Sequence, residues 1–287
     1  MRTRIIGVVG ATALVGAALA GSVFASGSTS DVSLSAKNLP PLTGASYELW
    51  VIDGQRKLSG GKFNVGANGK VAGRLSSSIN PASADLLAVT IEPKGDRNRT
   101  PSGIVILAGK PSASGARLSL PANLSRISGS FLLATPTDAD DSNETAGIWF
   151  LTPAMKASLR IPAAPAGWAW EGWGVTQKTP LSTGRFAKPT GVDRSARYSG
   201  AKKGPAFPGE DFLRQLPDGV SAPVDLADGS SQVVLSLEPD LRGKDPTGAE
   251  PFSIKPLVGA VPSGAKDHQS LKLRRDLSGL PSASASF

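Results

Sequence analysis

The feature that most constrains this chain is an internal duplication. The strand-like run Tyr47, Glu48, Leu49, Trp50 returns as Trp170, Glu171, Gly172, Trp173, at an offset of 123 residues. At the same offset, Leu58, Ser59, Gly60, Gly61, Lys62, Phe63 is answered by Leu181, Ser182, Thr183, Gly184, Arg185, Phe186. Further on, Ala88, Val89, Thr90, Ile91, Glu92, Pro93 is answered by Val234, Leu235, Ser236, Leu237, Glu238, Pro239, now at an offset of 146. Each copy continues through a Pro-x-Gly turn (Pro101 to Gly103, Pro246 to Gly248) into an apolar run that ends at Gly109 or Gly259. The order is the same in both halves, so one supersecondary unit occurs twice and both copies must reach the same fold. The offset grows from 123 to 146, so the second copy carries 23 extra residues between its second and third conserved strands.

The repeated runs are short, rich in β-branched and aromatic residues, and bounded by Gly, Pro, Ser and Asp. That punctuation marks strands and turns, and no long stretch has helical period. Asp53–Gly54 and Asn68–Gly69 are hairpin turns, since both pairs tolerate positive φ. The expected fold is all-β: two tandem antiparallel units resembling β-sandwiches, preceded by a signal peptide. The first unit spans residues 32–110 and the second 130–262, with an insertion at 187–226. Residues 111–129 read as a polar linker. The Ser-rich, basic stretch 263–287 reads as a disordered tail. The two copies stand as separate domains or pack into one pseudo-symmetric body.

The first 25 residues have a basic start (Arg2, Arg4), an apolar run and small residues before two cleavage positions. This is the pattern of a secretory signal peptide; the competing reading is an uncleaved anchor. No later stretch is apolar and long enough to span a membrane as a helix. The expected location is therefore periplasmic, envelope-bound or secreted.

Several chemistries drop out on composition. There is no Cys, and the one His is His268, so thiol nucleophiles, disulfides, His-based triads and Cys or His metal sites are not expected. No cofactor is implied. The net charge of +8 is spread along the chain; a scattered surface charge of this kind gives no nucleic-acid motif, although it suits weak attraction to anionic envelope polymers. The acids Asp138, Asp140, Asp141 and Glu144 could gather around Ca²⁺, but the loop lacks the glycine and terminal acid of an EF-hand. A solvated hairpin loop is the favoured reading.

Three sets of residues remain as functional candidates. Trp170 and Trp173, with Trp168 and Trp149, would stack on a sugar or a peptide if exposed; packing in the core is the competing reading. The repeated acids Glu48, Glu92, Glu171 and Glu238 could in principle form a glycosidase pair, but their duplication favours a structural role. The insertion holds Asp193, Arg194, Tyr198, Lys202, Lys203, Phe207, Glu210, Asp211 and Phe212. In it, Phe207 and Phe212 would anchor the loop, while Glu210 and Asp211 pair with Arg185 or meet a partner. The binding residues expected are therefore Trp170, Trp173, Arg185, Glu210 and Asp211, with no catalytic or metal residue.

The runs 47–52, 61–63, 88–95 and 101–109 together resemble the extracytoplasmic domain of the anti-sigma-K factor family, closely over the first copy and more loosely over the second. The resemblance implies a non-catalytic, outward-facing module. Members of that family hold their sigma factor with a cytoplasmic helical domain ahead of a membrane span. Here a signal peptide stands in that place, so sigma-factor binding by this chain is not expected. The expected partner is an envelope protein or a surface polymer, the alternatives being a structural surface or matrix protein and, behind it, a carbohydrate-active enzyme.

Overall fold

The structure is a computed structural model and describes residues 30–66, 71–72, 75–248 and 250–287. The signal peptide and the turn at Asn68–Gly69 lie outside the described residues. Nine strands come first: β1 (Ser30–Lys37), β2 (Ala45–Asp53), β3 (Arg56–Val65), β4 (Val71–Ala72), β5 (Leu75–Ser77), β6 (Leu86–Pro93), β7 (Val105–Gly109), β8 (Pro111–Ser112) and β9 (Gly115–Ser119). Eight follow: β10 (Gly129–Leu133), β11 (Gly147–Trp149), β12 (Trp168–Thr176), β13 (Thr179–Phe186), β14 (Gly209–Asp211), β15 (Gln232–Pro239), β16 (Leu257–Ala260) and β17 (Leu271–Arg275). The last strand is β18 (Ser282–Ser286). Among the described residues the protein is all-β, with two short 3-10 turns and no α-helix.

The strands form two antiparallel sheets. The first runs β4-β3-β2-β6-β7-β9-β18-β1-β5, with β8 beside β9, and the second β13-β12-β15-β16-β17-β10-β11-β14. Each curls nearly closed: β5 comes against β3 in the first sheet, and β14 against β13 in the second. Closure of this kind removes most of the free edge of a sheet, and the two units are accordingly barrel-like.

The duplication is visible strand by strand. Strands β3, β2, β6 and β7 hold the positions of β13, β12, β15 and β16, and the correspondence continues as β9 with β17, β18 with β10, β1 with β11 and β5 with β14. The second unit supplies all its strands from one continuous stretch. The first borrows β18 from the far end of the chain.

Two boundary expectations are thereby corrected. Residues 111–129 are not a linker: β9 completes the first sheet, and Leu118, Leu120, Leu124 and Ile127 are buried. Residues 263–287 are not a disordered tail: β17 joins the second sheet, while β18 pairs with β1 through five residue pairs and with β9 through four. The run Ser282 to Ser286 alternates strictly, Ala283 and Ala285 facing inward between serines. Small side chains hide a period-two pattern from any reading that weighs hydrophobicity. The insertion is likewise built in, since β14 adds an edge strand to β11.

Both copies carry a bulge at one place. Pairing shifts between Leu49 and Trp50 opposite β3, and between Gly172 and Trp173 opposite β13, leaving Gly60 and Thr183 as the extra residues. The next residues, Gly61 and Gly184, have φ of 117° and 101°, a conformation that glycine adopts without a Cβ clash. This accounts for the glycine that precedes Lys62 and Arg185. The main hydrophobic core runs through both units, and a smaller cluster of Leu132, Ala134, Trp149 and Leu151 has Phe207 packed against it. Between them, the Trp168 indole N–H donates to the Val105 carbonyl at 3.1 Å, and the ring packs on Phe252.

Candidate functional site

The bulge sets up a side-chain frame that is repeated in the two units. Ser59 Oγ accepts the Gly61 N–H and donates to Glu48 at 2.5 Å; Ser182 Oγ accepts the Gly184 N–H and donates to Glu171 at 2.5 Å. Behind this, the Trp50 indole donates to Thr90 Oγ1 at 2.8 Å, and the Trp173 indole to Ser236 Oγ at 2.8 Å. Each hydroxyl passes the chain on to a carboxyl, Thr90 to Glu92 and Ser236 to Glu238. The same carboxyl oxygens accept a backbone N–H, from Ser102 at 3.0 Å and Phe252 at 2.9 Å. The frame thus pins the strand β6 or β15 to the loop that follows it. Its four acids are buried. Burial pushes Glu238 up to about 8 against the two hydrogen bonds that favour its charged form, and moves Glu92 in the same direction. These carboxyls are held as parts of a scaffold.

The basic residue of the frame differs between the copies. Lys62 reaches Glu48 at 3.8 Å and remains well exposed. Arg185 is largely covered, with Glu171 at 2.8 Å, Asp245 at 2.6 Å and Asp240 at 4.0 Å. Burial alone would lower the guanidinium's affinity for its proton, but Glu171, then Asp245 and Glu238, outweigh it and hold the pKa above its usual value. A forked, permanently charged group suits several carboxylates at once, as an ammonium does not.

The structure thus places the five expected binding residues inside the fold. Trp170 is fully buried and donates to the Pro162 carbonyl at 2.9 Å, and Trp173 is buried with Ser236. Trp50, Trp149 and Trp168 are buried as well. Glu210 and Asp211 do not pair with Arg185. Glu210 accepts the Ser199 hydroxyl, while Asp211 accepts the Trp149 indole N–H at 2.7 Å and both the N–H and the hydroxyl of Thr137. Burial raises the pKa of both. Pairing of β14 with β11 and the Thr137 contact bury these acids in a polar-looking sequence, and the adjacent Phe212 packs edge-on against Tyr198. A Cβ at Gly174 would come within 2.9 Å of the Phe212 ring, so that glycine makes room for the anchor.

What the insertion does present is a groove of about 500 Å³ beside β14. Its walls include Val192, Phe207, Lys202 and Lys203, with Asp193 and the edge of Trp149 deeper in. Val192 is 63% exposed, unusual for its size and type among the described residues. Asp193 accepts the N–H groups of Gly209 at 2.8 Å and Ser195 at 3.0 Å. Burial nevertheless pushes it up to about 7, helped by the nearby Glu210. Arg194 is occupied by Asp240 at 2.5 Å; Lys202 and Lys203 are exposed and make no ion pair among the described residues. The groove therefore combines apolar and cationic side chains with a largely buried acid, Asp193, whose pKa is pushed up to about 7. Asp193, Arg194, Lys202, Lys203 and Phe207 are visible in the sequence as members of the insertion, whereas Val192 and the approach of Trp149 from β11 show only in the fold. The acidic residues of the loop 138–144 are used locally: Asp138 accepts from Asn143 at 2.7 Å, and Asp140 from the Ser142 N–H at 2.9 Å.

Residues 2–105 match the family model described as anti-sigma-K factor rskA, C-terminal. The match takes in the apolar leader and the first unit up to the first residue of β7, about a third of the chain. The first unit is thus similar to an anti-sigma factor ectodomain. Comparison with curated proteins and with solved structures gave no match. No helix among the described residues is long and apolar enough to cross a membrane.

Proposed function

We propose that this protein is an exported, non-catalytic binding module of the cell envelope that contacts its partner through the groove beside the insertion. The observation behind this reading is the division of labour among charged groups. The buried carboxyls of the frame are engaged in backbone and hydroxyl bonds, whereas Lys202 and Lys203 stand uncompensated beside the exposed Val192 and the half-buried Phe207. An apolar centre with a polar, solvent-accessible rim is the usual anatomy of a contact surface. The signal-peptide pattern and the similarity of the first unit to an anti-sigma factor ectodomain support export and a partner-binding role. The partner is an envelope protein or a surface polymer with acidic groups.

A second reading has one observation in its favour: the burial of all five tryptophans suits a structural surface or matrix protein. Cross-linking capture from envelope extract separates the two, using the protein and a Lys202→Glu/Lys203→Glu variant. Both substitutions are on exposed side chains, so the melting temperature should stay within about 1 °C, as surface changes usually permit. A discrete partner lost in the variant supports the groove. The same capture by both proteins, or none by either, favours the structural reading.

A further inference from the structure

The duplication brings together two loops that the sequence keeps far apart. The loop after Glu92–Pro93 in the first unit and the loop after Glu238–Pro239 in the second face each other across a cleft of about 410 Å³. Its lining includes Lys94, Asn98, Thr100 and Ser102 from the first loop and Leu241 and Arg242 from the second. The loops are equivalent by the repeat, yet their charges are exchanged: Lys94 corresponds to Asp240, and Asp96 to Arg242. The exchange has a consequence for the balance of charge. Asp240 and Asp245 of the second loop are taken up by Arg194 and Arg185, and Arg242 is exposed with no ion pair among the described residues. In the first loop, Asp96 is turned toward its own loop, accepting the Asn98 N–H at 2.9 Å, and Lys62 lies close enough to help hold its carboxyl below the usual range. Lys94 is exposed, and no ion pair among the described residues engages it or Arg97 or Arg99 on the same loop. One cation therefore stands on each wall, the lining also holding Asn98, Thr100, Asp96 with its carboxyl on the Asn98 N–H, and Leu241 and Pro101 as apolar surface.

We propose that this junction cleft binds an anionic sugar: a pyranose carrying a phosphate or a carboxylate. The two cations suit the acid group, since exposed ion pairs with a bound anion gain from having two partners. Asn98 and Thr100 offer donors and acceptors for ring hydroxyls, Ser102 being engaged with the Ile91 carbonyl and the Ile104 N–H, and Pro101 and Leu241 give the apolar contact a ring face needs. The volume lies in the range of small-molecule sites, and such sites favour the boundary between units. The site is separate from the insertion groove and stands or falls independently of it.

Isothermal titration of the purified protein with glucose 6-phosphate, glucuronate, glucose and inorganic phosphate tests the proposal. Either or both of the acidic sugars should bind at least tenfold more tightly than glucose and than inorganic phosphate; which of the two does so identifies the acid group. A Lys94→Glu/Arg242→Glu variant should lose that binding tenfold or more while keeping its melting temperature. The Lys202→Glu/Lys203→Glu variant should bind the sugar unchanged. Absence of binding by both acidic sugars, equal affinity for inorganic phosphate, or binding that survives the charge reversal at Lys94 and Arg242 overturns it.

Discussion

Replacing Glu238 by Gln should change how stability depends on pH more than it changes stability itself. In the folded protein the carboxyl is buried, accepts from Ser236 and from the Phe252 N–H at one oxygen, and leaves the other without a partner. Burial, together with the neighbouring Glu171 and Asp245, pushes its pKa up to about 8 from an ordinary 4.5. The folded state therefore holds this proton more tightly than the unfolded chain does. The group's contribution to stability is fully present below about pH 4.5, declines between 4.5 and 8, and is lost above 8. At about 1.4 kcal/mol per unit of pKa, the decline amounts to about 5 kcal/mol. A glutamine keeps the accepting oxygen and has no proton to lose. Urea unfolding at pH 5, 6, 7 and 8 should show the two proteins close together at pH 5. Glu238→Gln should then gain on the parent by about 1 kcal/mol for each pH step above 6. Asp193, Glu92, Glu210 and Asp211 also have raised values, so the parent's slope is shared, but they contribute equally to the variant and cancel in the difference. Parallel pH profiles would refute the reasoning: they would mean that the carboxyl is charged in the folded protein, stabilised by Arg185 or by water.

The repeat allows matched substitutions to be compared. Arg185→Ala should cost about 3–5 kcal/mol in urea unfolding, because it strands Glu171 and Asp245 without their partner, whereas Lys62→Ala should cost less than about 1 kcal/mol, as exposed pairs do; equal costs would deny the difference in burial. Trp50→Phe and Trp173→Phe should each lose about 1–3 kcal/mol from reduced packing and a hydroxyl left without its donor, and a large inequality between them would mean that the two frames are not equivalent. Deleting residues 281–287 should lower the melting temperature and produce self-association on a sizing column, since the edges of β1 and β9 are then unpaired; a monomer with unchanged melting would restore the view of this stretch as a tail.

The repeat made the all-β architecture and the matching of β2, β3 and β6 with β12, β13 and β15 legible, because large apolar residues at a fixed offset survive divergence. The glycines of the bulges were legible too, although not the reason for them. What escaped was everything assembled by long-range pairing. The Ser-Ala alternation of β18 has little hydrophobic contrast, so nothing local marks it as a strand. Glu210 and Asp211 look like surface acids until β11 and Thr137 are seen to cover them. The cleft between Lys94 and Arg242 depends on a charge exchange between equivalent loops, and its meaning appears only when both are in place.

The borrowed strand gives the protein an order of assembly. Ser33 on β1 pairs with Ser286 on β18, so the first sheet is closed by a segment made some 250 residues after it opens. Contacts of such long separation form late, because their loop entropy must be met before they contribute. The second unit has all its strands by residue 275 and is free to fold while the first still waits with two open edges. Any chain cut short of residue 282 leaves those edges exposed permanently, and exposed edges invite pairing with other chains. The same five-residue strand, whose apolar side chains are two alanines, thus serves as the latch of the sheet, and proteolysis or premature termination at that end would be felt first at the other.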